Sequence, residues 1–232
     1  MSGSSNKAVV CVSGGMDSCV CAAVAAREHE SLYFLHAGYG QRTESIERNC
    51  FERLAGFFGA REKLVCRLDH LGKIGGSSLT DPEIELRDGG LGSDQIPGSY
   101  VPFRNAHFLS AAVSWAEVLG AGAIYLGAVE QDSSGYPDCR REYYDAFERV
   151  IRLGTRPGTE ITIRTPLIGM KKSEIVGLGV KLNAPFELTW SCYRSGGPEA
   201  CGRCDSCVLR LRAFREAGLQ DPIQYETKEL GL

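Results

Sequence analysis

The 232-residue sequence contains no apolar run near the roughly 20 residues that a membrane-spanning helix needs. It has no basic block either: 26 Lys and Arg stand against 29 Asp and Glu, a formal charge of -3. That balance argues against a face built to neutralise nucleic-acid phosphates and favours small substrates. The stretch from Met1 to Lys7 is polar, without the apolar segment of a secretory signal behind a basic start, so the cytosol is the expected compartment. Internal repeats and low-complexity tracts are missing, which leaves neither a fibrous array nor extensive disorder.

What is present is an ordinary globular mixture, 43% hydrophobic and 24% charged. The length suffices for one sizeable core but not for two full domains. Residues 1–185 are expected to form one α/β domain, with 186–232 a small C-terminal segment packed on it. Short β-rich runs alternate with helix-period segments. Strands are expected at Ala8 to Val12, Leu32 to Leu35, Lys63 to Cys66, Ala123 to Gly127 and Glu160 to Arg164. Helices are expected at about 19–26, 46–58, 104–119, 141–153 and 172–182. Strands separated by helices long enough for right-handed crossovers pair in parallel, so the fold class is an open, mostly parallel, doubly wound α/β sheet. Residues 72–100 break the rhythm and read as an irregular excursion of the kind that covers a site. In such sheets ligands sit beyond the carboxyl ends of the strands, where the loops after Val12, His36, Gly127 and Arg164 should converge.

Ten cysteines require a use other than disulfides in a reducing compartment. Cys11, Cys19, Cys21, Cys50 and Cys66 are scattered among apolar neighbours and are expected to pack as small hydrophobes. Cys192, Cys201, Cys204 and Cys207 form Cys-x8-Cys-x2-Cys-x2-Cys, a strong signal for a four-thiolate zinc site. A closed shell leaves no position for water or substrate, so one structural zinc per chain is expected; an iron-sulfur cluster would use the same ligands. A helix from Val208 to Ala217 should pack alongside and stop at Gly218.

Val12-Ser13-Gly14-Gly15-Met16-Asp17-Ser18 lies between a hydrophobic strand and an Ala-rich helix. Backbone N–H groups and the positive helix end can hold an anion there, and paired glycines let the chain curl around phosphate oxygens. The Lys of the common P-loop is absent, and Gly-x-Gly-x-x-Gly does not match. A plain strand-to-helix turn capped by Ser13 or Asp17 is the simpler alternative. Ser134 to Arg140 joins an aromatic ring, an acid and a cation in one loop, on which a flat heterocycle could stack. Arg104 and Asn105 open a helix and could hold a carboxylate or amide. Tyr39 to Arg42, and Thr165-Pro166-Leu167 with Lys171 and Lys172, complete the ring. No His follows Cys139 closely, which argues against a catalytic thiol, and neither His36 nor His107 has a context that selects it as a general base.

Ser-Gly-Gly-x-Asp-Ser at 13–18 resembles the PP-loop of ATP pyrophosphatases, which have an adenine-nucleotide α-hydrolase-like fold. With Asp132-x-Ser-Gly-Tyr-Pro-Asp-Cys-Arg140, Leu188-Thr-Trp-Ser-Cys-Tyr193 and Cys201-Gly-x-Cys-Asp-Ser-Cys207, the chain is similar over nearly its whole length to the 7-cyano-7-deazaguanine synthase (QueC) family of queuosine-precursor biosynthesis. The resemblance implies an ATP-dependent carbon-nitrogen ligase that turns 7-carboxy-7-deazaguanine and ammonia into the nitrile through an adenylated carboxylate and an amide. It implies ATP contacts from Val12, Ser13, Gly14, Gly15, Met16, Asp17, Ser18, Cys19, Val20, Cys21 and Ala22, with Mg2+ ordered near Asp17. Catalytic roles would fall to Ser13, Asp17, Ser18, Arg104 and Lys172. Substrate would be held by Gln41, Arg42, Arg104, Asn105, Asp132, Tyr136, Pro137, Asp138 and Arg140, and zinc by the four late cysteines. A cytoplasmic homodimer follows, without direct nucleic-acid or membrane binding.

Three departures from the family pattern fall in two expected substrate loops. Thr43 and Ser45 replace the usual His and first acid after Gln41-Arg42, leaving Glu47, and Phe103 stands where a small residue is usual. These raise an alternative, a paralogue that adenylates the same acid but joins it to another amine, such as one on a protein, as an amide.

Overall fold

The computed structural model describes residues 6–86, 96–130, 135–194 and 196–227. Five strands, β1 (Lys7–Cys11), β2 (Ser31–Gly38), β3 (Glu62–Arg67), β4 (Ala123–Leu126) and β5 (Thr162–Arg164), form one sheet in the order β3-β2-β1-β4-β5. Every pairing is parallel; Val10 sits between Phe34 of β2 and Tyr125 of β4. The direction of winding reverses between β1 and β4, and the crevice at such a switch point lies at the carboxyl ends of the strands.

Helices cover both faces. They are α1 (Met16–Glu28), α2 (Glu44–Phe57), α3 (Asp69–Ile74), α4 (Arg104–Leu119), α5 (Arg141–Gly154), α6 (Lys172–Lys181) and α7 (Asp205–Glu216). Alternate residues of β1 feed two cores: Ala8 and Val10 pack with α1, α2 and α6, whereas Val9 packs with Leu109 of α4 and Tyr144 of α5. A strand buried on both faces must be apolar throughout, which is why Ala8-Val9-Val10 has no polar member. Helix α1 is equally committed. Cys19, Val20, Cys21 and Ala22 are fully buried, and α6 comes so close that a Cβ on Gly179 would lie 2.3 Å from the Phe186 ring and 2.8 Å from Val20. None of the described helices is long and apolar enough to cross a membrane.

The excursion after β3 is less irregular than expected. Helix α3 occupies its start, and Ser77, Ser78 and Leu79 are buried. Leu79 and Leu86 join Tyr39, Leu71 and Val101 in a small cluster beyond β2. Phe103 precedes α4 with φ +57°, in the left-handed region where a bulky side chain is strained, which explains why a small residue suits this position. Helix α7 starts three residues before the expected Val208, with Cys204 as its N-cap.

Candidate nucleotide cavity and four-cysteine centre

A cavity of about 710 Å³ opens at the switch point. Its floor is the turn from Val12 to Ser18, and Gly15 rather than Ser13 or Asp17 caps α1. The turn is tightly built. Gly14 has φ +89°, and a Cβ there would meet the Glu47 carbonyl oxygen at 2.6 Å. A Cβ on Gly127, at the end of β4, would lie 2.8 Å from the Asp17 carbonyl. Ser18 Oγ donates to the Gly15 carbonyl at 2.9 Å, and the Gly15 N–H donates to Ser13 Oγ at 3.3 Å.

Asp17 and Lys172, brought together from α1 and α6, form an ion pair of 2.6 Å on the wall. Asp17 Oδ1, also buried, accepts no hydrogen bond from the described residues. A lone buried carboxylate oxygen beside a phosphate-sized turn suits a hard cation or a ligand donor.

Arg104, also on the wall, donates from Nη1 to the Tyr39 hydroxyl at 2.8 Å and lies over the Tyr39 and Phe108 rings. That is the one hydrogen bond of its guanidinium among the described residues, so the other guanidinium N–H groups remain for an anion in the cavity. Tyr136 and Arg140 also line the wall, and the Tyr136 hydroxyl shares a 2.8 Å hydrogen bond with Ser99 Oγ.

Several expected ligand contacts sit elsewhere. Cys19, Val20, Cys21 and Ala22 belong to the core, not the wall, because α1 is covered by the sheet and by α6, so that all its sides are buried along this stretch. Gly14 and Pro137 also stay off the wall. Arg42 points outward and donates to the carbonyls of Ser78, Asp81 and Ile84, tying down the loop after α3. Asp138 is buried at the start of α4, where its Oδ2 accepts the Asn105 N–H at 3.0 Å while Asn105 Nδ2 donates to the Asp138 carbonyl at 2.8 Å. Asp138 thus meets one of the unpaired N–H groups of a helix start from another loop, a role that local sequence does not reveal. Asp132 lies outside the described residues.

Tyr39, expected in the ring of loops around the site, lines the cavity, as do Glu47, Trp190, Tyr193 and Arg210, to which sequence reasoning assigned no role in the site. Glu47 Oε1 accepts from Thr43 Oγ1 at 2.6 Å, and Oε2 accepts from Gln41 Nε2 at 2.9 Å. Gln41 is therefore a support for Glu47. Arg210 is 1% exposed and donates to Asp221, Thr189, Ser191 and the Phe186 carbonyl. His107 pairs with His70 on the surface, and His36 shares a 2.9 Å hydrogen bond with the Val12 carbonyl. Burial pushes the Cys139 thiol up to about 11, which keeps it protonated and weakly nucleophilic at neutral pH.

The four late cysteines converge. Their sulfur atoms all lie within 4.8 Å of one another, and Cys201 Sγ to Cys207 Sγ is 3.9 Å, so the cluster can hold a metal ion. Gly202 is required here: a Cβ would meet the Thr227 carbonyl oxygen at 1.8 Å. Cys50, expected to be scattered filler, packs against this centre together with Trp190. The centre also serves the cavity. The Trp190 N–H donates to the Gly14 carbonyl at 2.9 Å, and Asp205 and Ser206, which follow Cys204 directly, lie on the wall.

A glycine turn at the switch point of a parallel sheet, with a carboxylate-ammonium pair beside it, defines the PP-loop class of α/β nucleotide-binding proteins. Within that class, a family model described as queuosine biosynthesis protein QueC matches residues 7–218, and the chain belongs to this family. It is 57% identical over 222 residues to a 7-cyano-7-deazaguanine synthase of Chlorobium limicola, covering 96% of this chain and 98% of that one. It is 58% identical over 224 residues to one of Acidobacterium capsulatum, covering 94% and 96%. Among solved structures, an NMN synthetase from Francisella tularensis superposes with a TM-score of 0.47 at 17% identity, over 93% of this chain and 79% of that one.

Proposed function

We propose that the chain is an ATP-dependent ligase that converts 7-carboxy-7-deazaguanine and ammonia to 7-cyano-7-deazaguanine. The observation that carries this reading is one cavity that joins the glycine turn, with the unpartnered Asp17 oxygen, to the open N–H groups of Arg104. Backbone N–H groups of 13–18 and the α1 terminus would hold the phosphates, and Lys172 would turn from Asp17 toward the departing pyrophosphate. Mg2+, when bound, would offset charge on the phosphates, held by Asp17. Arg104 would orient the substrate carboxylate for attack on the α-phosphorus, while Tyr136 offers a ring for the deazapurine. The adenylated carboxylate would then take up ammonia to give the amide, whose oxygen is activated in turn and lost to leave the nitrile.

We infer that the ion of the four-cysteine centre is zinc in a structural role. Four thiolates at about 2.3 Å from one ion stand about 3.8 Å apart, close to the Cys201–Cys207 separation of 3.9 Å. An iron-sulfur cube would hold them farther apart because a whole cluster separates them. The centre anchors the segment 186–232 on the domain formed by 1–185. Assembly as a cytoplasmic homodimer belongs to the same reading. The relatives lend no support to the alternative of an amide joined to another amine.

The test is pyrophosphate release from ATP and Mg2+ that depends on 7-carboxy-7-deazaguanine, with ammonia the only amine. The expected product has the mass of the nitrile. ATP left untouched in the presence of that acid would refute the ligase, and a product that stays at the amide mass would favour the alternative.

A further inference from the structure

We propose that Glu47 binds the ammonium ion and removes the proton that must leave before nitrogen can attack the acyl adenylate. This deepens the ligase reading and rests on it.

The geometry comes from the loop between β2 and α2. Gln41 Oε1 accepts the Tyr39 backbone N–H at 2.9 Å, which fixes the amide so that its NH2 faces Glu47. Glu47 Oε2 must then be an acceptor, and Oε1 accepts the Thr43 hydroxyl. An ionised carboxylate has about four lone-pair sites, and two are used here. The others are available to the cavity, on whose wall this half-buried residue sits. The position is also right. The Glu47 main chain packs against Gly14 of the phosphate turn, and the side chain shares the wall with Tyr39 and Arg104, where the substrate carboxylate would be held.

The charged and titratable groups that influence Glu47 are His36 and Tyr39 of the β2 side, Cys50 on α2 and Arg104 of α4. Burial outweighs the hydrogen bonds from Thr43 and Gln41 and raises the carboxyl above its usual range. A stronger base results, better matched to a weakly acidic ammonium ion.

The step balances. One N–H bond of ammonium breaks and its proton goes to a Glu47 oxygen, which leaves neutral ammonia with its electron pair. That pair forms the C–N bond as the acyl C–O bond breaks, and AMP departs with the bonding electrons. A second proton passes from nitrogen to solvent as the amide forms.

Hydroxylamine separates this role from adenylation, since it is already neutral near pH 7 and traps an acyl adenylate as the hydroxamate. In Glu47→Gln the ratio of ammonium-dependent product to hydroxamate should fall by about 100-fold at neutral pH, the usual scale for a lost general base. The ratio should recover as pH rises and free ammonia becomes abundant, and Glu47→Asp should retain part of it at neutral pH. An unchanged ratio in Glu47→Gln, or a drop that high pH does not relieve, would overturn the proposal. If the unaltered protein forms neither hydroxamate nor pyrophosphate from 7-carboxy-7-deazaguanine, the ligase reading itself fails and takes this inference with it.

Discussion

Lys172 Nζ lies 2.6 Å from Asp17 Oδ2, an ion pair that closes across 155 positions of sequence and places the start of α6 directly over the start of α1. The pair stands on the wall of the cavity beside the turn from Ser13 to Ser18, so each partner reports on that turn. Replacing Lys172 by Met should lower substrate-dependent pyrophosphate release by about 100-fold or more, the usual cost of removing one preorganised charge from a developing anion. Asp17→Ala should abolish it. Circular dichroism and metal content of both variants should match those of the unaltered protein, because neither side chain contributes to the core or the cysteine centre. Loss of metal in Asp17→Ala would contradict this separation.

Cys204→Ser should behave in the opposite way. Thiolate ligation contributes directly to folding, so metal content and solubility should fall together. Nucleotide affinity should fall as well, since the centre positions Asp205 and Ser206 on the cavity wall and Trp190 against Gly14. Metal analysis alongside nucleotide titration checks this. A variant that retains one metal per chain and full affinity would show that three cysteines suffice.

The buried pair of Arg210 and Asp221 sets a third expectation. Their side chains are 1% and 2% exposed and joined at 2.7 Å, and Asp221 also accepts from the Tyr225 hydroxyl at 2.7 Å. Removing one partner strands a charge, so Arg210→Met should destabilise the fold by about 3–5 kcal/mol in urea melts. Arg210→Met with Asp221→Leu should recover part of that loss. A double variant less stable than Arg210→Met by the full cost of the second change would show that the two residues act independently.

Glu47 makes stability depend on pH with a defined sign. Burial raises its carboxyl in the folded state, so the native protein holds this proton more tightly than the unfolded chain. Its stabilising contribution is present at low pH and is lost as pH climbs from the ordinary glutamate range through the raised folded value. Glu47→Gln should therefore match or exceed the unaltered protein in thermal melts near neutral pH, and that advantage should shrink in mild acid. An advantage that grows on acidification would contradict the raised carboxyl.

Much of this was legible along the chain because its cause is local. Alternation of β-rich and helix-period segments gave the parallel sheet, adjacent glycines after β1 marked the turn, and the two short Cys-x2-Cys spacings marked the four-cysteine centre. Spacing reports chemistry faithfully when the groups that cooperate are neighbours in sequence, as Cys201, Cys204 and Cys207 are.

Tertiary structure alone decided which polar residues face the cavity. Asp138 and Gln41 looked like substrate ligands from their loops, yet one serves the start of α4 and the other holds Glu47, because their hydrogen-bond partners arrive from elsewhere in the fold or by a turn that no period predicts. Trp190 and Arg210 reach the wall only because the cysteine centre folds the C-terminal segment back over the glycine turn. The order and type of the elements follow from residue periodicity, which each short stretch carries by itself. The wall of the site depends on which stretches meet, and that is set by burial of the whole chain at once.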